Sequence, residues 1–250
     1  MGSDSGCQRD SRVRMNETLV IVGPGRLGRS ATEILSKAGY PVVLIGRETS
    51  IPAADVTWLT VPDREVAAVA QDVPPGGVIL HASGALDVDV LRPHQTVGSL
   101  HPLMSFPGPE RGLPSGDVPA AISGDEAACV AARRLALQLG FTPFTVKGDR
   151  RLYHAAAVLA GNFTTTLLVQ ASRALAACGV PEDEARHLLA PLASASLTNT
   201  IAMGADALTG PVARGDEAVI ANHQRALDEL DPEIAELYRA LTASTRQVKG

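Results

Sequence analysis

The sequence predicts an α/β domain built on a doubly wound parallel sheet, followed by an all-α C-terminal domain. First, a run of β-branched and other apolar residues at 19–22 leads into a glycine-rich segment and then into a helical pattern. Second, short apolar runs alternate with amphipathic segments up to residue 146. Third, strand patterns stop near Lys147, after which alanine-rich segments show helical spacing.

The first strand and helix enclose three glycines, and each glycine has a physical role in a dinucleotide-binding turn. The first permits the turn, the second lets the backbone approach a pyrophosphate, and the third lets the helix pack on its strand. The helix N-terminus offers free N–H groups to phosphates. A purely structural turn is the alternative. The Rossmann-like prediction gives these cofactor contacts: Gly23, Pro24, Gly25, Arg26, Leu27 and Gly28.

The end of the second predicted strand, 41–45, bears on the choice of cofactor. An acidic residue about 20 positions after the glycine motif suits the ribose of NAD, whereas an arginine suits the 2′-phosphate of NADP. Arg47 stands there, and the side chain of Glu48 would face the other way on an extended segment. We therefore predict NADP, bound by Arg47, in preference to NAD. The alternative for Arg47 is a solvated loop position.

The next two strands are expected to border the ligand with their carboxyl ends, as in other doubly wound sheets. One ends at Val61 and Pro62, which are predicted to contact the cofactor. The other, 78–82, ends at Ser83, which is predicted to contact both cofactor and substrate. An ordinary turn serine is the alternative for Ser83.

The fifth predicted strand begins at Val97 and contains His101, followed directly by a proline. His101 is expected near the ligand crevice, either as a proton-transfer group or as a hydrogen-bonded structural residue. A Pro- and Gly-rich loop then runs to Gly116. The remaining predicted elements are a strand at 118–122, a helix at 125–139, an edge strand at 141–146, helices at 149–177 and 182–202, a loop at 204–215, and helices at 216–229 and 232–247.

The length of 250 residues and the 45% apolar composition are sufficient for two domains. We predict a disordered leader at 1–14, a dinucleotide-binding domain at 15–147, and a helical substrate and dimerisation domain at 148–250, with Met1 and Met15 as the alternatives for the natural start. The first residues lack the apolar region of a secretory signal. Long alanine-rich helices indicate a homodimer.

Composition excludes several classes of function. The net charge of −5 and the lack of a basic run argue against nucleic-acid binding. The three cysteines have no metal-ligand spacing and do not suit a disulfide framework, so we expect a cytoplasmic protein without a metal. No run of about 18 uninterrupted apolar residues predicts a membrane span.

Four stretches carry a resemblance to a known family. They are Gly23-Pro24-Gly25-Arg26-Leu27-Gly28, Ser99-Leu100-His101-Pro102-Leu103-Met104-Ser105-Phe106, Tyr153-His154 with Asn162, and Leu208-Thr209-Gly210-Pro211-Val212-Ala213-Arg214-Gly215-Asp216 with His223. The chain resembles the predicted short-subunit dehydrogenase-like oxidoreductases, within the group of 6-phosphogluconate dehydrogenase, ketopantoate reductase and prephenate dehydrogenase. The resemblance implies an NADP-linked reductase with a helical C-terminal domain.

One departure from this group concerns its catalytic lysine. That lysine stands four residues before an asparagine on the first long helix of the second domain, and the corresponding position here is Val158. His154 and Asn162 are the substitutes: eight residues apart on one helix, they lie about 12 Å apart along the axis and about 80° around it. His154 is predicted to transfer a proton and Asn162 to hold nicotinamide or substrate, with packing roles as the alternatives.

Two further residues are predicted to bind substrate. Arg214 suits a substrate carboxylate, or alternatively pairs with Asp216, and His223 lies on the same helical face as Asp216. The sequence thus predicts an NADP-dependent oxidoreductase that transfers a hydride to or from a C=O or C=N carbon of a small substrate at the interdomain cleft. The alternative is a non-catalytic NAD(P)-binding sensor or regulatory protein.

Overall fold

The computed structural model describes residues 17–46, 49–114 and 117–249. The chain divides into two compact units, Met1–Val158 and Leu159–Gly250. The first unit contains the described strands, and the second is helical. The predicted leader, including Met15, lies outside the described residues.

A seven-stranded sheet forms the first unit, with the spatial order β2-β1-β3-β4-β5-β6-β7. Strands β1 to β5 are parallel; β6 is antiparallel to β5, and β7 is parallel to β6. The strands are β1 Leu19–Val22, β2 Val42–Ile45, β3 Val56–Leu59, β4 Val78–His81, β5 Thr96–Pro102, β6 Val118–Gly124 and β7 Phe141–Thr145. The sheet is therefore Rossmann-like and doubly wound, with its last two strands reversed.

The chain reverses its direction of winding between β1 and β3, because β2 and β3 lie on opposite sides of β1. Such a switch point opens a crevice outside the carboxyl ends of the two strands. The end of β1 and the end of β3 are joined there by the Thr60 N–H, which donates to the Val22 carbonyl oxygen at 2.8 Å.

Apolar layers cover both faces of the sheet. Trp58 and Leu59, neighbours on β3, are fully buried in different layers, as alternation along a strand requires. Helix α1 (Arg26–Lys37) and helix α3 (Glu126–Gln138) cover the Trp58 layer, and α2 (Asp63–Gln71) covers the other. The predicted helix at 125–139 is thus confirmed as α3.

The segment predicted as one helix at 149–177 forms two helices, α4 (Arg150–Ala160) and α5 (Asn162–Ala176). The helical pattern is interrupted at Gly161, which has low helix propensity. The two compact units meet within α4, between Val158 and Leu159, whereas the predicted boundary at Lys147 precedes this helix. The first turns of α4 therefore belong to the unit that contains the sheet.

The rest of the second unit consists of α6 (Glu182–Met203), α7 (Gly210–Arg214), α8 (Glu217–Leu230) and α9 (Pro232–Lys249). The segment predicted as a loop at 204–215 contains a 3₁₀ turn and the short α7. Asp216 is the N-cap of α8, because its carboxylate accepts a hydrogen bond from the Val219 N–H at 3.3 Å.

Two helical stretches, Arg150–Ala176 and Glu182–Arg214, are long and apolar enough to cross a membrane by length and composition alone, with mean hydropathies of 1.3 and 1.2. They pass this test although neither contains the uninterrupted apolar run sought in the sequence. The core helix of a soluble protein passes the same test but is mostly buried, whereas no part of either window is buried here; two such helices are weak evidence for a membrane span.

Candidate functional site

The glycine turn after β1 is closed by backbone contacts that leave no room for larger side chains. Gly23 has a φ of +112°, and a Cβ there would lie 2.9 Å from the Thr60 carbonyl carbon and oxygen. A Cβ on Gly28 would overlap the Gly23 carbonyl oxygen. The Thr60 hydroxyl reinforces the turn by donating to that oxygen at 2.8 Å. These two glycines thus serve the packing of turn, helix and β3.

Gly25 differs from its two neighbours in the motif. Its φ of −70° suits any residue, and a Cβ there would find its first neighbour, the Thr60 carbonyl oxygen, only at 4.0 Å. The absence of a side chain is therefore not explained by the fold of the described residues. An open position at a helix N-terminus is where a phosphate group would approach the backbone.

A cavity of about 660 Å³ lies beside this turn. It is bordered by the ends of β1, β2 and β3, as expected at the switch point. Its lining residues are Val22, Gly23, Pro24, Gly25, Gly46, Thr49, Ser50, Ile51, Thr60, Val61, Pro62, Glu65, Val69 and Asp72.

Some of the residues predicted to contact the cofactor line the cavity, and others do not. The cavity is lined by Gly23, Pro24, Gly25, Val61 and Pro62, but not by Arg26, Leu27, Gly28 or Ser83. Arg47 and Glu48 lie outside the described residues, so the arginine predicted to bind the 2′-phosphate has no described position. Of the neighbouring hydroxyl residues, Thr49 and Ser50 line the cavity.

Ser83 stabilises the turn after β4. Its hydroxyl oxygen accepts hydrogen bonds from the N–H groups of Ala85 at 3.1 Å and Leu86 at 3.0 Å. Its own N–H donates to Nδ1 of His81 at 3.2 Å, and its carbonyl accepts from Arg150 at 2.7 Å. The turn role, which the sequence left as an alternative, therefore exists in the structure; cofactor and substrate contacts of Ser83 stay a prediction.

Three aromatic side chains converge next to that turn. The Tyr153 hydroxyl lies 2.6 Å from Nδ1 of His101, and the His101 and His154 ring centroids are 6.3 Å apart. A Cβ on Gly84 would lie 2.7 Å from His154 Cδ2 and 3.0 Å from His101 Nε2. Gly84 therefore allows the backbone after β4 to approach both imidazoles. The structure brings the two predicted proton-transfer histidines together in the first unit.

Arg150 fixes the start of α4 against the sheet. Its guanidinium donates to the Ser123 hydroxyl at 2.8 Å and to the Ser83 carbonyl at 2.7 Å, and its Nε is buried without a partner among the described residues. Ser123 in turn shares a hydrogen bond of 2.9 Å with Ser99. Burial lowers the pKa of Arg150 from its usual value, although the arginine stays charged at neutral pH.

Burial also keeps two histidines neutral. The pKa of His101 is lowered to about 4, first by burial and then by the charges of His154 and Arg150, while Asp63 acts in the opposite direction. The pKa of His81 is lowered to about 4, again mainly by burial. At neutral pH each ring therefore carries one proton.

The second unit holds the other predicted site residues. Asn162 is exposed at the start of α5, and its side chain forms no hydrogen bond within the described part of the chain. His154 and Asn162 lie on consecutive helices that are separated by Gly161, and the spacing calculated for one continuous helix stays a prediction.

Arg214 lies at the end of α7 and His223 lies in the middle of α8, both in the second unit. Arg214 is exposed at the end of α7 and has no ion-pair partner among the described residues, so the predicted alternative of pairing with Asp216 is absent. Nδ1 of His223 lies 3.0 Å from the Tyr238 hydroxyl. His223 is thus already in contact with a neighbouring side chain.

Sequence reasoning missed two residues of the cluster in the first unit, Tyr153 and Arg150. In the sequence Tyr153 stands out only as part of the Tyr153-His154 pair. Its contact with His101 spans 52 positions and has no periodic signal. Arg150 follows Asp149 at the predicted helix start, where a charged residue is ordinarily solvent-exposed. Within the described residues no group of three His, Cys, Asp or Glu side chains could hold a metal ion.

Solved structures with the same fold cover both units. BF3122 from Bacteroides fragilis, a candidate NADP oxidoreductase, is 22% identical, with 93% of this chain and 99% of that chain covered and a TM-score of 0.80. Protein TM1727 from Thermotoga maritima is 26% identical, with 92% and 98% covered and a TM-score of 0.70.

A third similar structure is a reductive aminase from Aspergillus terreus in complex with NADPH and ethyl-5-oxohexanoate. It is 19% identical, with 92% of this chain and 94% of that chain covered and a TM-score of 0.66. These similarities support the fold assignment, a Rossmann-like sheet followed by a helical region.

A search of curated proteins finds no match for this chain. The model of a domain of unknown function, DUF2520, matches residues 118–245. Since this match covers slightly more than half of the 250 residues, the chain belongs to the DUF2520 family.

Proposed function

We propose that the chain is an NADP-dependent oxidoreductase that transfers a hydride to or from a C=O or C=N carbon of a small, carboxylate-bearing substrate. The observation that carries this proposal is the open backbone at Gly25, at a helix N-terminus that faces a cavity of about 660 Å³. The fold leaves room there that a phosphate would use. The similar reductive aminase, crystallised with NADPH, makes a nicotinamide cofactor the natural occupant.

The residues that would hold the cofactor are those of the turn and of the cavity. Gly23, Pro24 and Gly25 would receive the pyrophosphate, while Val61 and Pro62 would border the adenosine half. Thr49 and Ser50 would offer hydroxyls to the ribose or its phosphate, beside the predicted Arg47. When bound, NADPH supplies the hydride, and the chain supplies binding, orientation and a proton.

Proton transfer is assigned in this proposal to the histidine cluster of the first unit, His101 and His154. Asn162, Arg214 and His223 are retained as substrate-binding candidates. Arg214 suits this role because its guanidinium is exposed and has no ion-pair partner within the described ranges. Such a guanidinium can bind a carboxylate through two parallel hydrogen bonds.

Thermal unfolding with NADPH and with NADH tests cofactor binding. A ligand at 100 times its Kd stabilises the folded state by about 2.7 kcal/mol. For a chain of this size each kcal/mol raises Tm by roughly 2–4 °C. We expect a rise of this order with NADPH and a smaller one with NADH at the same concentration.

Two alanine variants provide a matched comparison. Gly25→Ala should keep the ligand-free Tm, since a Cβ there contacts nothing closer than 4.0 Å, but should abolish the NADPH shift. Gly148→Ala, which also meets no atom within 4 Å, should keep both. An unchanged NADPH shift in Gly25→Ala would contradict phosphate binding at this turn, and no shift in the wild type would contradict cofactor binding altogether.

Activity then separates an enzyme from a sensor. Oxidation of NADPH with a panel of keto acids and imines, followed by nicotinamide absorbance, should show turnover with at least one substrate class. NADPH binding without turnover across the panel would favour the non-catalytic alternative.

A further inference from the structure

The contact between Tyr153 and His101 is the shortest hydrogen bond in the histidine cluster. The phenol oxygen lies 2.6 Å from Nδ1, and the two rings meet edge to face with centroids 5.5 Å apart. Nε2 of His101 forms no hydrogen bond within the described residues and, unlike Nε2 of His81, is not fully enclosed. Nδ1 is thus held by Tyr153, whereas Nε2 is available to form a hydrogen bond with a bound ligand.

The direction of this hydrogen bond follows from acid and base strength. A phenol is a stronger acid than a neutral imidazole N–H, and an imidazole nitrogen is a stronger base than a phenol oxygen. Tyr153 therefore donates to Nδ1. Since a neutral imidazole carries one proton, that proton lies on Nε2.

Nε2 points toward the backbone after β4. It lies 3.0 Å from the position that a Cβ of Gly84 would occupy. Gly84 follows Ser83 at the carboxyl end of β4, and this end of a doubly wound sheet faces the ligand crevice. The available N–H is therefore directed to the side of the sheet where the proposed cofactor and substrate would bind.

We propose that Tyr153 holds His101 as the neutral tautomer with its proton on Nε2, that this N–H is the proton donor to the substrate, and that Tyr153 supplies the replacement proton. This inference rests on the proposed function, because it names the proton source for that reaction. In it His101 is the catalytic residue and Tyr153 a positioning residue that also stores a proton.

The step balances for a carbonyl substrate. The carbon receives a hydride with its electron pair, and the electrons of the C=O π bond move to the oxygen. The Nε2–H bond breaks as an O–H bond forms, while the Tyr153 proton moves to Nδ1. His101 is neutral before and after the transfer, but its proton then lies on Nδ1. Tyr153, left as a phenolate, takes that proton back as water protonates Nε2, and this restores the starting tautomer. The product is an alcohol.

The charges around the pair support this use of a neutral histidine. Arg150 and His154 on α4 and Asp63 on α2 face His101, and burial together with Arg150 and His154 lowers the pKa of His101 to about 4 despite Asp63. The ring is therefore not an imidazolium at pH 7. Burial raises the pKa of Tyr153 above its usual value, so the phenol keeps its proton, while the charge of Arg150 acts in favour of the phenolate.

Nuclear magnetic resonance of ¹⁵N-histidine-labelled full-length protein measures the tautomer without substrate or cofactor. The His101 signals are identified by their loss in His101→Gln. We expect a single neutral tautomer with the proton on Nε2 and no titration between pH 5.5 and 8. In Tyr153→Phe the Nδ1 acceptor loses its donor, so both tautomers should be populated.

The second unit offers a matched control, because Tyr238 forms a similar contact of 3.0 Å with His223. Tyr238→Phe should change the signals of His223 and leave those of His101 unchanged. An imidazolium at pH 7, a proton on Nδ1, or an unchanged tautomer in Tyr153→Phe would each overturn the inference. None of these results depends on NADPH. A failure of the proposed proton transfer from Tyr153 through His101 is therefore distinguishable from a failure of cofactor binding.

Discussion

The burial of His81 makes the free energy of unfolding depend on pH. The side chain is completely buried at the end of β4, where its Nδ1 accepts a hydrogen bond from the Ser83 N–H at 3.2 Å. Only the neutral ring fits this environment, because a second proton would need to replace the hydrogen bond at Nδ1. The pKa is accordingly lowered from 6.5 to about 4.

The difference between the ordinary pKa of 6.5 and the pKa of about 4 in the folded protein predicts that acidification destabilises the folded state. Between pH 6.5 and 4 the unfolded chain binds a proton on His81 that the folded chain does not, so the free energy of unfolding falls as pH decreases through this window. From pH 7 to 5.5 we expect a loss of roughly 1 kcal/mol for His81 and a similar loss for His101. Urea unfolding at both pH values measures the loss.

His81→Asn is the informative variant, because its Oδ1 can accept the same hydrogen bond from Ser83 without titrating. Whatever its stability at pH 7, its loss on acidification should be smaller than that of the wild type by about 1 kcal/mol. Equal losses in the two proteins would exclude His81 as a source of the pH dependence.

Among the elements, helix α1 owes its position to one residue. Gly28 on α1 lies against the turn after β1, where a Cβ would overlap the Gly23 carbonyl oxygen and lie 2.7 Å from the Thr60 hydroxyl. Both belong to the hydrogen-bonded contact between the ends of β1 and β3. The helix and the turn can therefore be this close only without a side chain at position 28.

Gly28→Ala should lower the free energy of unfolding by about 1–3 kcal/mol, as overpacking commonly does. Alanine favours helices more than glycine, so a neutral or positive effect would be expected if the space were open. Denaturant titration of Gly28→Ala and Gly25→Ala measures the free energy of unfolding of both variants and compares two glycines of the same motif. A Gly28→Ala protein as stable as Gly25→Ala would show that the close packing of α1 on the turn is not required.

The interruption between helices α4 and α5 is a second feature at the level of secondary structure. The hydroxyls of Thr164 and Thr165 donate to the carbonyls of Ala160 at 2.9 Å and Gly161 at 3.3 Å, and thereby satisfy groups near the break. In the sequence both threonines fall within the helix predicted at 149–177. Their periodicity is helical on both sides of Gly161, so periodicity could not locate the break.

At the scale of the whole molecule, the second unit exposes an apolar surface on α6. Leu197 is 52% exposed and Ile201, one turn later, is 89% exposed. Leu188 and Leu192 are also exposed on this helix, but at about 100° per residue they lie about 180° around its axis from Leu197 and Ile201 and so outside this surface. An apolar surface of this kind is unfavourable in water, and we propose that a second copy of the chain covers it.

We expect a homodimer in sedimentation velocity without detergent. Leu197→Glu with Ile201→Glu should give a monomer, because charges would have to be buried in the interface. The matched control is Val130→Glu with Leu137→Glu on α3, both 61% exposed in the wild type, which should stay dimeric. A monomeric wild type, or binding to phospholipid vesicles in place of self-association, would contradict the proposed homodimer.

The sequence by itself determined the features that depend on neighbouring residues. The apolar run before Gly23, the order of strands and helices and the helical second half all follow from local periodicity and from the conformational needs of single residues. These signals also placed His101 and Ser83 at strand ends, where a parallel sheet faces its ligands.

Only the tertiary structure decided which distant residues meet. The reversed direction of β6, the pairing of His101 with Tyr153 and the guanidinium of Arg150 against Ser83 and Ser123 join segments far apart in the chain. Periodicity reports which face of an element is apolar, but not which partner that face or its polar neighbours will find. Packing therefore decides which groups at the candidate site donate and accept. It buries His101 and places Tyr153 against its Nδ1, and in our proposal this keeps the imidazole proton on Nε2.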